Sequence, residues 1–224
     1  MHQSYVIVVS DIPESLKSGQ LMKDSAKDAG LSDVQIFLGS TPRNCDPIRV
    51  FEQEGLDPEH FLANKFSRIP AAMSCFLSHY YLWKRCAAGK NPFLIFEHDA
   101  RFIGKFNEKI LEETLYCCSF GKPSYGNYRT SERQGIQKLF SKSYFPGAHS
   151  YVLFPEGAEM LIEEAKKNKP EPTDVFLNVK RFSWLQEWNP WITEVVETFS
   201  TVQQNKGILA KHAYKKNKQQ YQLL

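Results

Sequence analysis

The sequence predicts an α/β fold: a single domain with a mixed, mostly parallel sheet flanked by helices. Three observations carry this. Tyr5-Val6-Ile7-Val8-Val9 is a β-branched run, and a helical segment and a second apolar run at 34–38 follow it, so the chain opens β-α-β. Phe93-Leu94-Ile95-Phe96 is apolar at four successive positions, the pattern of a strand buried on both faces in a helix-covered sheet. With 224 residues the chain is long enough to bury a substantial core.

The elements follow in order. Ser10-Asp11-Ile12-Pro13 breaks the first strand. A helix is expected over 14–29, with Leu16, Leu21, Met22 and Ala26 inward and Gly30 ending it. After the strand at 34–38, Gly39-Ser40-Thr41-Pro42 breaks the chain, and 40–68 reads as loop with a short helix near 48–53. Pro70 and Gly89 bracket the strongest helical segment, 71–88. Ala72, Cys75, Phe76, His79, Trp83 and Cys86 recur there at steps of three and four and share one face. Lys84 and Arg85 sit in its last turn, where cations are favoured. The apolar strand at 93–96 comes next, then a helix over 105–118. Residues 119–143 are rich in Gly, Ser and Lys and read as a mobile loop. A strand over 148–154 and a helix over 155–167 follow, the helix with Met160, Leu161 and Ala165 inward. Lys169-Pro170-Glu171-Pro172 links to Asp174, which is placed to cap a helix starting at Val175. The remainder to about 195 reads as aromatic and irregular.

Composition bounds the function. The net charge of +3 is too small to argue for a nucleic-acid partner. Part of it is concentrated in a basic tail over 204–224, set apart from a domain over 1–203; the tail reads as a solvated end, with contact to an anionic membrane surface as the alternative. Five cysteines with no Cys-x-x-Cys pair argue against a zinc ribbon or a disulfide framework. Met1-His2-Gln3-Ser4 runs straight into the first strand and no apolar run is long enough to span a bilayer, so a soluble cytoplasmic protein is expected. Neither Gly-x-Gly-x-x-Gly nor Gly-x-x-x-x-Gly-Lys-[Ser/Thr] occurs, which disfavours a Rossmann dehydrogenase or a P-loop enzyme.

The chemistry is expected where the apolar strand ends, in Glu97-His98-Asp99. Alternate residues leaving a strand point the same way, so Glu97 and Asp99 can converge. Such a pair can supply oxygen ligands to a hard divalent cation, or one acid can cap a helix or pair with Arg101. His79, preceded by Ser78, lies in the apolar stripe of its helix, either as a satisfied core histidine or reaching the site from beneath the strand. Asp174 is either a cap or a carboxylate base. Ser10 and Asp11 follow the first strand, where a ligand would meet a topological switch point. His149 and His212 are isolated, and their spacing supports no ligand role. Trp184, Trp188 and Trp191 either stack on a flat or ring-shaped ligand or pack the C-terminal half.

Several of these segments line up in order with one family. Residues 72–83, AMSCFLSHYYLW, resemble the Gly-Cys-x-x-Ser-His-x-x-x-Trp helix of glycosyltransferase family 25, which includes bacterial lipooligosaccharide galactosyltransferases and collagen galactosyltransferases. Residues 94–100, LIFEHDA, resemble its Leu-Ile-Leu-Glu-Asp-Asp-Ala motif; 147–158, GAHSYVLFPEGA, its Gly-Ala-x-x-Tyr block; and Pro172-Thr173-Asp174 its Pro-Val-Asp. The resemblance spans about residues 4–203. It implies a GT-A-like fold and inverting transfer of a hexose, galactose or glucose, from a UDP-sugar to a saccharide or glycolipid acceptor, with Mn²⁺ or Mg²⁺. It further implies Asp99 and Glu97 as the metal and donor motif, with Asp99 the direct ligand. Ser78 joins them as a donor contact, as do Ser10 and Asp11 from their place after the first strand, and Asp174 and His79 are the catalytic candidates. An enzyme on this pattern would work in the cytoplasm, including at the inner membrane surface. Two departures stand out: His98 replaces the middle acid, removing a charge, and Val9-Ser10-Asp11 stands where the family has Asn-Leu. A sugar-nucleotide- or glycan-binding protein without catalysis is the alternative that His98 favours. A metal-dependent phosphoesterase is disfavoured by the lack of a second acidic pair.

Overall fold

Apolar residues at successive positions carry β1 (Gln3–Val8) and β3 (Phe93–Glu97) side by side through the middle of a seven-stranded sheet. The computed structural model describes residues 2–63 and 68–196, with the backbone alone at 199–200 and 222–223. The predicted domain boundary at 203, His212 and, apart from those last two residues, the basic tail lie outside the described residues.

The sheet order is β2-β1-β3-β7-β5-β8-β6, with β2 at Val34–Leu38, β5 at Cys117–Ser119, β6 at Gly135–Lys138, β7 at Ser150–Leu153 and β8 at Gln186–Asn189. β1 pairs in parallel with both β2 and β3, and β5 with β8; β7 runs against β3 and β5, and β6 against β8. Only β7 and β6 oppose the common direction, so the mixed, mostly parallel sheet expected from the sequence is present. A separate two-stranded ladder joins β4 (Ala100–Phe102) to β9 (Thr193–Val195).

Side-chain alternation splits the core between the two faces. Ile7, Phe93, Ile95, Cys117, Tyr151 and Leu153 face a cluster built on α4 (Ile69–Ala87) and α6 (Pro155–Lys167). Val6, Val8, Leu94, Phe96, Cys118 and Val152 face the opposite cluster, which includes Met22 and Ala26 of α1 (Pro13–Asp28). Two-sided burial is why β3 reads as an unbroken apolar run.

Four expectations need correction. Leu16 and Leu21 are 39% and 47% exposed; α1 instead turns Ser15, Ser18, Gly19, Met22 and Ala26 inward. A Cβ at Gly19 would lie 2.3 Å from Val8 Cγ1, so the small face is what lets α1 sit against β1. The helix expected over 105–118 is only α5 (Lys109–Glu113), and its last residues form β5, whose two cysteines go to opposite faces of the sheet. The segment 119–143 contains β6, and the stretch read as irregular contains β8 and β9. Asp174 does not cap: Pro172 precedes the single turn α7 (Thr173–Phe176), and Asp174 lies inside it. The short helix expected near 48–53 is present as α2 (Pro47–Glu54), capped by Asp46, and a further turn, α3 (Glu59–Leu62), was not predicted.

Candidate active site

β1 is connected through α1 to β2 on one side, while β3 lies on its other side, so the sheet has a switch point beyond the carboxyl ends of β1 and β3. Ser10 and Asp11 leave β1 there and Glu97 and Asp99 leave β3 there. β7 is antiparallel, so the residues before it, Gly147–His149, arrive at the same edge. The Glu97 amide donates to the His149 carbonyl at 2.9 Å and closes that edge.

Glu97 stands at the end of the apolar strand with its side chain turned toward α4. Its Oε1 lies 3.1 Å from His79 Nε2 and 4.0 Å from Cys75 Sγ. Burial, then the charges of Asp99 and Asp174, push the Glu97 carboxyl well above the usual carboxylate range. These forces identify a convergence of three carboxylates from β3, the turn after it and α7. Asp174 Oδ2 accepts a hydrogen bond from the Tyr125 hydroxyl and Oδ1 accepts from the Val175 amide at 2.9 Å. Burial raises Asp174, and these hydrogen bonds partly offset the rise. Asp99 Oδ1 is buried with no hydrogen-bond partner.

His79 is fully buried on α4, and burial pushes it down to about 3, so it is neutral. Its Nδ1 lies 2.8 Å from the Tyr151 hydroxyl, which also receives the Trp83 indole N–H at 2.9 Å. Cys75 Sγ, His79 Nε2 and a Glu97 oxygen lie within 4.8 Å of one another, close enough to hold a metal ion. Burial, then the charges of Glu97, Asp174 and Asp99, hold the Cys75 thiol well above its ordinary range, so it sits there protonated.

Ser78 is buried, and its hydroxyl is spent on the backbone. It donates to the Ser74 carbonyl at 2.8 Å and accepts from the Ser40 amide at 2.9 Å, tying the loop after β2 to α4. Ser10 is exposed, while Asp11 pairs with Arg43 at 3.2 Å through one oxygen and buries the other without a partner. His149 is buried beside Gly121, where an added Cβ would come within 2.5 Å of Nε2. Neither of its ring nitrogens meets a hydrogen-bond partner in good geometry. Burial lowers it to about 4, against upward pulls from Asp99, the Thr193 carbonyl and Glu194. Trp188 is buried in the core, Trp184 packs on Tyr116 and Phe182, and Trp191 stands edge-on to Tyr128.

The structure therefore brings Glu97, Asp99, Asp174 and His79 together, and sets Ser10 and Asp11 beyond the adjacent strand end. Sequence reasoning missed Tyr125, Tyr151 and the part Trp83 takes in the polar chain. Their partners lie 49, 72 and 68 residues away in the chain.

Comparison with known proteins covers this same region. Residues 69–177 match the family described as glycosyltransferase family 25 (LPS biosynthesis protein). Two curated relatives each bear the name Glycosyltransferase 25 family member. The one from Anopheles gambiae is 26% identical over 174 residues, 62% of this chain and 29% of its own length. The one from Aedes aegypti is 26% identical over 129 residues, 52% of this chain and 21% of its own. The chain thus spans less than a third of either relative. Among solved structures, the glycosyltransferase GlyE of Streptococcus pneumoniae TIGR4 overlays with a TM-score of 0.39 at 12% identity, covering 84% of this chain and 46% of that one. The Ser78-His79 helix, the Glu97-His98-Asp99 strand end, the Gly147 block and Asp174 all fall inside residues 69–177, the segment that matches glycosyltransferase family 25.

Proposed function

We propose that this protein transfers a hexose, galactose or glucose, from a UDP-sugar to a saccharide hydroxyl with inversion at the anomeric carbon. The observation that carries the proposal is the convergence of Glu97, Asp99 and Asp174 at the switch point, inside the family 25 segment. In the transfer the bond between the anomeric carbon and the phosphate oxygen breaks, and UDP leaves with the electron pair. The acceptor oxygen bonds the same carbon from the opposite face, and its proton passes to a base. Asp174 is that base in this reading. Its raised pKa makes it a better proton acceptor near neutrality than an ordinary aspartate. Tyr125 holds one oxygen and the Val175 amide the other, which fixes the plane of the carboxylate. No protein nucleophile is required.

The residues present fit a hard divalent cation, Mn²⁺ or Mg²⁺. Asp99 buries an oxygen with no partner, and the charges of Asp99 and Asp174 raise the Glu97 carboxyl, so a cation between them would relieve both. Asp99 would hold the ion, with Glu97 beside it; when bound it neutralises the leaving diphosphate. His98 replaces one acid of the family pattern and favours a second reading, a protein that binds sugar nucleotides without turnover. A glycolipid acceptor, a cytoplasmic or inner-membrane location and a role in lipopolysaccharide synthesis belong to the same proposal.

Purified protein incubated with UDP-galactose or UDP-glucose and Mn²⁺ should release UDP and pass the sugar to an acceptor. Asp174→Asn should lower kcat by about 10²–10⁴-fold while UDP still binds. Unimpaired transfer by Asp99→Ala would remove the cation role. UDP binding without release from any donor would favour the second reading.

A further inference from the structure

The buried chain Trp83–Tyr151–His79–Glu97 has a direction fixed by counting hydrogens. An indole N–H can only donate, so the Tyr151 oxygen accepts from Trp83 at 2.9 Å. The phenol then has one hydrogen to give, and the acceptor within reach is His79 Nδ1 at 2.8 Å. With Nδ1 accepting, the neutral ring carries its proton on Nε2, 3.1 Å from Glu97 Oε1. The opposite arrangement puts the proton on Nδ1. Two donors then point at the Tyr151 oxygen, and the phenolic hydrogen has no acceptor in a fully buried setting. Ring stacking supports the geometry: His79 and Tyr151 lie with centroids 5.8 Å apart and planes 20° from parallel.

We propose that Trp83 and Tyr151 lock His79 in its Nε2–H tautomer, making His79 a positioning residue. It donates to Oε1 of Glu97 and so presents the other carboxylate oxygen to the donor-binding edge. Cys75 reinforces the arrangement, because a protonated thiol 4.0 Å from the same Oε1 can only add a weak donor there. The lock also decides between two uses of the Cys75–His79–Glu97 trio. A ring that presents N–H to Glu97 offers no lone pair to a metal, so in this state the trio is a carboxylate clamp and not a metal site. What Glu97 does with its free oxygen rests on the proposed glycosyl transfer; the tautomer does not.

The test reads the two apart. Long-range ¹⁵N–¹H correlation spectra of ¹⁵N-histidine-labelled protein, with no donor or cation added, report which ring nitrogen carries the proton, and a His79→Gln variant assigns the signals. The expected result is a protonated Nε2 and a bare Nδ1 for His79 in the unmodified protein. In Tyr151→Phe, Nδ1 loses its donor, and its ¹⁵N signal should move toward that of a nitrogen without a hydrogen bond while Nε2 keeps the proton. Mn²⁺ titration in the presence of UDP, followed by electron paramagnetic resonance, should show roughly tenfold weaker binding in that variant, as expected for loss of an outer partner. A protonated Nδ1 in the unmodified protein overturns the lock and leaves the Nε2 lone pair free for a metal ion. Loss of the Nδ1 hydrogen bond with unchanged Mn²⁺ affinity overturns the positioning role. The first measurement needs no working enzyme, so failure of the glycosyl transfer reading leaves it standing.

Discussion

His149 carries the clearest consequence of burying a titratable side chain in this protein. Its ring is held down to about 4 by burial, against an ordinary value near 6.5. The unfolded chain therefore takes up its proton near pH 6.5 and the folded chain only near 4. Stability from this residue is level above the window and falls as pH drops through it, by about 3 kcal/mol at pH 4. His149→Gln removes the titration. Urea midpoints of the two proteins should draw together between pH 7 and pH 4, and parallel pH profiles would contradict this. Glu97 and Asp174 act with the opposite sign. Their carboxyls are raised, so the unfolded chain ionises first and stability falls as pH climbs out of the ordinary carboxylate range. The residues of the site were unequally legible. Glu97, Asp99 and Asp174 could be singled out because each sits where a strand or linker visibly ends. Tyr125 and the buried ring of His149 could not, because each is defined by what the fold brings to it; Tyr151 stands in the Gly-Ala-x-x-Tyr block, but its link to His79 is likewise made by the fold.

Elements were legible where their own ends are written in the chain. Proline at the start and glycine after the end framed α4, and the structure places it at Ile69–Ala87. β5, β4 and β9 are three residues each, too short for an alternating pattern to register, and their partners are distant in sequence. The segment 119–143 misled for a related reason. Its order comes from Glu187 on β8, which accepts from the Gln137 side chain at 2.9 Å and from the Phe140 and Ser141 amides at 3.1 and 3.0 Å. Helix propensity fails in the same way at Gly157 on α6. Alanine is the better helix former there by about 1 kcal/mol. Yet an added Cβ would lie 2.6 Å from the Tyr116 carbonyl oxygen and 3.0 Å from its carbon. That carbonyl accepts from the Phe154 amide at 2.8 Å, so it cannot swing away without breaking the entry to α6. Overpacking of this kind costs about 1–3 kcal/mol and should win. Gly157→Ala is expected to lower the thermal midpoint by a few degrees, and an equal or higher midpoint would show that α6 can move off β5 at little cost.

At the scale of the whole molecule, the sheet joins two differently built halves. β2, β1 and β3 form a parallel unit with a crossover on each side of β1, and β7, β5, β8 and β6 form a mixed unit. The seam is the β3–β7 pairing, where Phe96 faces Ser150 and the Glu97 amide meets the His149 carbonyl. The candidate site uses both halves: Asp11, Glu97 and Asp99 come from the parallel unit, while Tyr125 and Asp174 come from the chain around the mixed one. A ligand bound across the seam touches both units in the folded state and neither arrangement survives unfolding, so binding adds to global stability by mass action. UDP with Mn²⁺ at a hundred times its dissociation constant should contribute about 2.7 kcal/mol. For a chain of this length, that corresponds to a rise in thermal midpoint of roughly 5–10 °C. The rise should require both components if the cation and the diphosphate share the acidic edge, and Asp99→Ala should abolish it while leaving the ligand-free midpoint near that of the unmodified protein. Scanning calorimetry with UDP, with Mn²⁺ and with both separates these cases. A full shift with UDP alone would mean that the nucleotide is held without the cation, and an Asp99→Ala protein that still shifts would move the cation away from the end of β3.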